Sequence, residues 1–278
     1  MTRRILLHVG SPKCGSTYLQ QVMLQNRDRL ERARIRYPHD GSGHPGNAGD
    51  LAELDAARLA AHFDGGIETL ILSHEDLYSL SKRGDALAGL AREQGIEVQL
   101  IAFLRPFSEF IYGDYSQFMK QFFDTFLAER RPYGGRDFEG FAQRRIDTMK
   151  PAAYLRQWQG RFPQTPLILE SHRNIRQVIT ALLGAELVDS LDWQVDPNRV
   201  NRSLRMQDCD SIAAAMRDPG VEAEEIKQMF RDAFHQVAES DPGKTAERTE
   251  WIETRFAPQN ATLLAEFGFD NRHPAHRG

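Results

Sequence analysis

Short, mainly apolar runs alternate with longer segments whose apolar residues recur at helical spacing in the N-terminal part of the chain. A run of about four to eight such residues between turn signals is typical of a buried strand, whereas helical spacing is typical of a helix that packs on one face. The pattern predicts strands at residues 5–9, 69–72, 98–104 and 166–170. It predicts helices at residues 16–34, 85–94 and 154–162.

A long helix is predicted directly after the third strand. Its apolar residues fall on one stripe: Phe107, Phe110, Ile111, Tyr115, Phe118, Phe122 and Phe126. From Ile175 onward the sequence is typical of helices, with no linker rich in proline or glycine. Because strands that alternate with helices favour a parallel sheet with right-handed crossovers, we predict an α/β fold with a helix-rich C-terminal half. We expect residues 1–278 to form a single domain.

Composition narrows the class of protein. Hydrophobic residues make up 41% and charged residues 27% of the 278 positions, which is typical of a globular protein. The net charge of −4 argues against general nucleic-acid binding, so any anion site has to be built locally. Two cysteines, Cys14 and Cys209, cannot form a disulfide framework. The N-terminal apolar run is too short for a signal peptide, and we expect a soluble, cytoplasmic protein.

The segment between the first strand and the first helix is the most informative in the chain. It consists of Gly10, Ser11, Pro12, Lys13, Cys14, Gly15, Ser16 and Thr17. Glycines permit tight turns that aim several amides at one anion, and the helix N-terminus adds its own amides and dipole. The hydroxyls of Ser16 and Thr17 can donate to the same anion. The alternative is an ordinary strand-to-helix turn with a capping serine.

The order of residues in this loop differs from the nucleoside-triphosphate loop, G-x-x-x-x-G-K-[ST]. Gly10 and Gly15 have the separation of the two glycines in that pattern. Ser16 stands where the pattern requires lysine, and the lysine lies inside the loop at Lys13. Binding of ATP or GTP with magnesium, as in a small-molecule kinase, is therefore the weaker interpretation of this loop.

The segment from His8 to Gln20 resembles the 5′-phosphosulfate loop of sulfotransferases that use 3′-phosphoadenosine 5′-phosphosulfate (PAPS), G-x-x-K-x-G-[ST]-[ST]-x-L-Q, in its carbohydrate-type and bacterial branches. The resemblance implies a P-loop-like, three-layer α/β fold with a central, mostly parallel sheet. It also implies PAPS as the donor and 3′-phosphoadenosine 5′-phosphate as the product. Lys13 would contact the phosphosulfate and stabilise charge on the leaving oxygen. The loop amides, Gly15, Ser16 and Thr17 would complete the phosphosulfate contacts.

A second element resembles the part of the family that binds the 3′-phosphate. There, a strand ends in arginine, and a helix carries a serine eight residues later and a tyrosine two beyond it. Arg105 and Tyr115 match this frame, but Gly113 stands at the serine position. Ser116 and Ser108 lie nearby, and either substitutes if the helix is rotated or locally irregular. The resemblance implies Arg105 as the 3′-phosphate ligand, since its fork suits phosphate, with Ser116 as our assignment for the hydroxyl.

The second strand ends in Ser73, His74 and Glu75, which parallel topology brings beside the loop. Sulfuryl transfer needs a base near the acceptor hydroxyl. Glu75 is our first choice, because this tripeptide resembles the S-x-E of bacterial family members, and His74 is the alternative. Neighbours on an extended strand point to opposite faces, so we expect only one of the two to face the site. The competing structural interpretation is that Glu75 caps the next helix and His74 is exposed.

Other features are less specific. A basic stretch comprises Arg130, Arg131, Arg136, Arg144, Arg145 and Lys150. We interpret it as solvated surface in preference to a site for an anionic glycan. The histidines form no recognisable metal motif, so we propose no metal. The acceptor is expected to be a hydroxyl on a carbohydrate or glycoconjugate, with lipid, phenol and peptide acceptors open. A non-catalytic nucleotide- or glycan-binding relative is a further alternative, which Gly113 favours.

Overall fold

The computed structural model describes residues 3–196 and 202–276. By its internal contacts the chain divides into two compact units. The first, here called the sheet unit, contains residues 3–105, 150–196 and 262–270. The second, here called the helical unit, contains residues 106–149, 202–261 and 271–276.

All described strands belong to one sheet in the sheet unit. They are β1 (Arg4–His8), β2 (Ile35–Arg36), β3 (Thr69–Ser73), β4 (Glu97–Leu104) and β5 (Ile168–Ser171). Their order is β2-β3-β1-β4-β5, and every pairing is parallel. The α/β prediction and its four strands are confirmed. The sequence pattern missed β2, because this edge strand is only two residues long and offers no apolar run.

Helices connect and follow the strands. They are α1 (Ser16–Gln25), α2 (Arg27–Arg32), α3 (Ala56–His62), α4 (Asp85–Gln94), α5 (Phe107–Glu129), α6 (Phe138–Thr148), α7 (Pro151–Arg161), α8 (Ile175–Leu183), α9 (Ala185–Ser190), α10 (Met206–Arg217), α11 (Ala223–His235) and α12 (Ala246–Phe267). The predicted helix at residues 85–94 coincides with α4, and the C-terminal part is helical as expected. None of the described helices combines the length and apolar composition that crossing a membrane requires.

The predicted helix at residues 16–34 is wrong in its continuity, since Asn26 divides it into α1 and α2. Asn26 is buried, and its Nδ2 donates to the carbonyls of Val22 and Asp192, both at 2.8 Å. Its Oδ1 accepts from the Asp192 amide at 2.9 Å. The buried Leu30 continues the apolar pattern beyond the break, so periodicity alone could not reveal it. The break depends on a partner that is distant in sequence.

The sheet is covered on both faces. One face packs on α1 and α8 in a cluster that includes Leu6, Ile71, Ile101, Phe103, Leu19, Met23, Ile175 and Ile179. The alternate strand residues, among them Ile5, Leu7, Leu70, Leu72 and Leu100, point to the other face and are equally buried. Right-handed crossovers that run in opposite directions place their helices on opposite faces, so α4 lies across the sheet from α1. The result is the expected three-layer arrangement.

The strand order places the candidate residues at one edge of the sheet. The chain leaves β1 toward β2, whereas it leaves β4 toward β5. Ligands bind outside the carboxyl ends of neighbouring strands whose connections diverge in this way. The loop after β1 and Arg105 after β4 both start at this point. On the other side of β1, His8 pairs in register with Ser73, the last residue of β3.

The helical unit is organised around α5. The first half of this helix is buried on all sides, including Ser108, Gly113 and Ser116. The Ser108 hydroxyl donates to Oε1 of the buried Glu253 at 2.6 Å. The predicted apolar stripe continues toward Phe126, but Phe118 and Phe122 are only half-buried. Part of an aromatic helix face is thus left open.

We expect Asn26→Ala to lower the free energy of unfolding by about 1–3 kcal/mol, because it removes a buried side chain that bonds to both the carbonyl and the amide of Asp192. Urea denaturation at neutral pH measures this change. The control is Gln25→Ala, since the exposed Gln25 also donates to the Asp192 carbonyl but from the surface. Equal destabilisation by the two variants would show that the buried amide of Asn26 is not what stabilises the break.

Candidate active site

The loop between β1 and α1 contains two residues in the left-handed region of backbone conformation. Lys13 has φ 62° and Gly15 has φ 84°. A lysine with positive φ is uncommon, and such residues concentrate where a ligand is held. The Cys14 amide and the Ser16 hydroxyl both donate to the Ser11 carbonyl at 3.3 Å and close the turn. Changes between right- and left-handed conformation of this kind form concave anion-binding backbone.

The two glycines of the loop are needed for different reasons. A Cβ on Gly10 would lie 2.7 Å from the Ser16 hydroxyl and 3.3 Å from the Cα of Glu75. A Cβ on Gly15 would lie 2.6 Å from Cδ1 of Ile175, and its φ also disfavours a side chain. Gly10 therefore permits the loop to approach the backbone that follows β3. This approach brings the loop between β1 and α1 next to Glu75.

The N-terminus of α1 is open to an anion. Gly15 is its N-cap and supplies no side-chain cap, and the first turn contains no acidic residue. Ser16 does not cap the helix, because its hydroxyl bonds to Ser11 instead. The capping-serine alternative therefore does not describe this turn. Of the remaining loop residues, Ser11 and Cys14 are buried, and Pro12, Lys13 and Thr17 are half-buried.

One hydrogen-bond donor near the edge of the sheet is buried without a partner among the described residues. It is Nε of Arg105, directly after β4. Burial raises the pKa of Tyr78 well above its usual value, so the phenol stays protonated, and Cys14 and Ser11 are the neighbours that influence it. Buried donors are rarely left unpaired. The loop, the open helix end and the buried Nε of Arg105 together fit an anionic ligand.

Glu75 is held by two side chains that donate to its two carboxylate oxygens. Nε2 of Gln20 donates to Oε2 at 3.1 Å, and Nε2 of His44 lies 3.1 Å from Oε1. Burial alone raises the pKa of Glu75, but hydrogen bonds from Gln20, its own backbone amide and His44 outweigh burial and hold the pKa below its usual value. The side chain is 26% exposed. Glu75 is thus an ionised, oriented and accessible carboxylate at neutral pH.

Gln20 and His44 are site residues to which sequence reasoning assigned no role. Gln20 lies in the segment that resembles the phosphosulfate loop, so its position was a signal. His44 lies in an irregular loop, and nothing in the sequence relates it to Glu75. The Gly46 amide donates to Nδ1 of His44 at 3.0 Å, which leaves the neutral ring's proton on Nε2, facing Glu75. The imidazole also stacks on His74, with ring centroids 4.7 Å apart.

His74 forms the helix cap that the structural interpretation of the sequence assigned to Glu75. Its Nδ1 accepts the Asp76 amide at 3.2 Å and caps the short helical turn Glu75–Leu77. The side chain is 13% exposed, and burial lowers its pKa. The interpretation in which Glu75 caps and His74 is exposed is therefore wrong. Glu75 faces α1, whereas His74 lies against Gly49.

His8 is the fully buried member of this network. Its Nδ1 lies 2.8 Å from the Ser73 hydroxyl, which also accepts from Gln20 at 3.1 Å. Its Nε2 has no partner in the described part of the chain. Burial lowers the pKa of His8 to about 4, although Glu75 opposes the shift. A neutral ring therefore connects the end of β1 to the residues around Glu75.

His44 and His74 open onto a cavity of about 480 Å³. Its other polar lining includes His39, His62, Asp50 and Arg58, of which Asp50 and Arg58 form an ion pair. Within residues 3–196 and 202–276, no three His, Cys, Asp or Glu side chains are grouped as a metal-binding set. The cavity has the size of a small-molecule site and offers several hydrogen-bonding groups.

Ser116, the residue assigned to the 3′-phosphate, lies in the helical unit. It is fully buried, and its hydroxyl accepts the Leu204 amide at 2.7 Å. Arg105 and the loop between β1 and α1 belong to the sheet unit. The structure thus brings together the loop, Glu75 and the end of β4, and the role of Ser116 stays a prediction.

Comparison with known proteins adds similarity to solved structures alone. No protein-family model matches the chain, and no curated protein matches it. Among solved structures, the chain is similar to a sulfotransferase from Alicyclobacillus acidocaldarius, with 14% sequence identity and a TM-score of 0.38. The match covers 99% of this chain and 98% of that chain. At this identity and score it carries no argument about function.

We expect the stability of the protein to fall between pH 7 and pH 5 in part because of His8. Its pKa is 6.5 when unfolded and about 4 when folded, so the unfolded chain takes up a proton that the folded chain refuses. This difference removes about 2 kcal/mol from the free energy of unfolding at pH 5. In His8→Gln the decrease in the free energy of unfolding from pH 7 to pH 5 should be smaller by that amount. Urea denaturation at the two pH values measures it.

The control for this experiment is His235→Gln, since His235 is exposed at the end of α11. It should keep the wild-type difference between the two pH values. The readout is that difference, so a general loss of stability in His8→Gln does not affect it. An unchanged difference in His8→Gln would refute a buried, neutral His8.

Proposed function

We propose that the protein is a sulfotransferase that moves a sulfuryl group from PAPS to an acceptor hydroxyl, with residues 1–278 as one sulfotransferase domain. The observation that carries the proposal is the loop after β1. It has a left-handed lysine at its centre, leads into an uncapped helix and lies against the backbone of Glu75. An anion site and an oriented carboxylate are thereby adjacent.

The donor would be held by its two charged ends. Lys13 and the amides of Gly15, Ser16 and Thr17 would bind the 5′-phosphosulfate, supported by Ser11, Pro12, Cys14 and Gly10 as the backbone of the turn. Arg105 would bind the 3′-phosphate through its Nε, which has no partner in the described part of the chain, and the rest of its fork. A buried guanidinium donor without a partner supports a phosphate at this position.

The reaction forms a bond between the acceptor oxygen and sulfur and breaks the bond between sulfur and the bridging oxygen of the phosphosulfate. The electron pair of the broken bond stays on the 5′-phosphate, where the Lys13 ammonium offsets the new charge. The acceptor's proton goes to a base. Like phosphoryl transfer, this step depends mainly on positioning and charge stabilisation.

Glu75 is the base that the geometry favours. Its carboxylate is ionised and retains lone pairs beyond those that Gln20 and His44 use. Nδ1 of His74 is engaged by the Asp76 amide, so a neutral His74 presents a protonated Nε2 that cannot accept a second proton. His74 would instead help to hold His44 by stacking.

The acceptor would occupy the cavity beside His44 and His74. Imidazoles, a carboxylate and a guanidinium in its lining offer both donors and acceptors. That mixture suits a molecule with several hydroxyls, which supports a carbohydrate or glycoconjugate over a lipid. The acceptor hydroxyl would approach Glu75 past His44.

We expect 3′-phosphoadenosine 5′-phosphate to bind in calorimetry and ATP with magnesium to bind far more weakly. Lys13→Ala and Arg105→Ala should each lower the affinity for the bisphosphate about 10- to 100-fold, since each removes a charge-assisted hydrogen bond. Lys82→Ala is the matched control, because Lys82 is an exposed lysine of the same unit. Binding of ATP with magnesium but not of the bisphosphate would replace this proposal by a kinase.

We expect Glu75→Gln to lower kcat about 100- to 10,000-fold in a sulfuryl-transfer assay and to leave bisphosphate binding unchanged. The fold should tolerate the change, because Gln20 has an unpaired Oε1 that can accept the new amide. His74→Gln is the comparison and should lower kcat less than about tenfold. If His74→Gln abolishes turnover and Glu75→Gln does not, the two roles are reversed.

A further inference from the structure

The open part of the α5 stripe is a feature that the proposed reaction does not use. Phe118, Phe122 and Phe126 follow one another at helical spacing, and the first two are half-buried. Their ring centroids are 5.4 Å apart between Phe118 and Phe122 and 5.9 Å apart between Phe122 and Phe126. The helix is locally distorted at Phe122, where φ is −115° and ψ is 16°. Three aromatic rings thus form a continuous wall, of which Phe118 and Phe122 are partly accessible and Phe126 is buried.

These rings form one side of a pocket of about 300 Å³ within the helical unit. Tyr133 and Phe141 form the rest of its apolar lining. The Phe118 and Phe141 rings meet edge to face at 5.2 Å, and Phe126 lies 5.3 Å from Tyr133. Tyr133 adopts a left-handed φ of 52°, so the turn after α5 is strained where it contributes to the pocket.

Three arginines complete the lining: Arg136, Arg144 and Arg145. Nε of Arg145 pairs with Asp114 at 2.7 Å, and Arg136 donates to the Tyr133 carbonyl at 3.3 Å. Arg144 is exposed, and its guanidinium has no hydrogen-bond or ion-pair partner in the described part of the chain. The lining contains no acidic side chain. The pocket is therefore apolar on its walls and positive at its rim.

We propose that this pocket binds a small organic anion whose body is an aromatic ring system and whose charged group is a sulfonate, sulfate or carboxylate. An inorganic anion would pair with the arginines but leave the aromatic walls exposed to water. A neutral aromatic molecule would cover the walls but leave the Arg144 guanidinium without a partner among the described residues. Only a ligand with both parts complements the whole lining, since arginine both pairs with such groups and stacks on rings.

This binding site is independent of the proposed sulfuryl transfer. Its lining lies entirely in residues 118–145, whereas Lys13, Glu75 and Arg105 belong to the sheet unit. The volume of the pocket suits two fused rings and does not suit an extended glycan. The basic stretch around residues 130–150 is thus more than solvated surface at three of its arginines.

Calorimetry of the full chain with 2-naphthalenesulfonate tests the proposal. We expect it to bind about tenfold more tightly than 2-naphthol, which lacks the charge, and than methanesulfonate, which lacks the rings. Arg144→Glu should weaken 2-naphthalenesulfonate about fivefold or more, because it reverses an unpaired charge at the rim. Arg27→Glu, a reversal of an exposed arginine on α2, should have no effect.

Two further variants identify the site. Phe122→Ala should weaken 2-naphthalenesulfonate about tenfold by removing apolar contact, and its circular dichroism and melting temperature show whether the fold is kept. Lys13→Ala should leave the affinity unchanged, which distinguishes this pocket from the phosphate loop. The proposal is overturned if 2-naphthol binds equally well, if Lys13→Ala alone weakens the sulfonate, or if no binding is measured at millimolar concentration.

Discussion

The arrangement of the candidate active site depends on the close approach of two backbone segments at the ends of β1 and β3. Gly10 permits it, because a side chain there would collide with the Ser16 hydroxyl and crowd the Cα of Glu75. With the two segments in contact, the lysine loop and the carboxylate that follow adjacent strands share one edge of the sheet. The switch in strand order brings the end of β4, and with it Arg105, to the same edge.

Around this contact the protein creates a local electrostatic environment that its net charge of −4 does not suggest. His8 is kept neutral by burial, Tyr78 is kept protonated, and Glu75 is kept ionised by its hydrogen bonds. Nε of Arg105 is buried without a partner in the described part of the chain, which is costly unless a ligand supplies an acceptor. An acidic protein can in this way hold an anion beside a carboxylate, because short-range hydrogen bonds outweigh the distant net charge.

The helical unit contains the second proposed anion site, which differs from the first in the groups that form it. In the sheet unit, the proposed anion site consists of backbone amides and Lys13, a combination that suits a compact phosphate. In the pocket beside α5, arginines lie at the edge of an aromatic surface, which suits a charged group attached to rings. The two proposed sites therefore differ in the shape of the anion that each would accept.

The sequence by itself determined the α/β class, four of the five strands, the span of α4 and the position of the lysine loop. These features depend on local periodicity and on residues that are consecutive in the chain. It also identified Glu75 and His74 as the residues beside the loop, since parallel topology places strand ends together. Only the tertiary structure revealed the break at Asn26, the edge strand β2 and the contact of His44 with Glu75. Each of these depends on a partner far away in sequence, such as Asp192 for Asn26 or an irregular loop for Glu75, and single-chain periodicity carries no information about which distant segments meet.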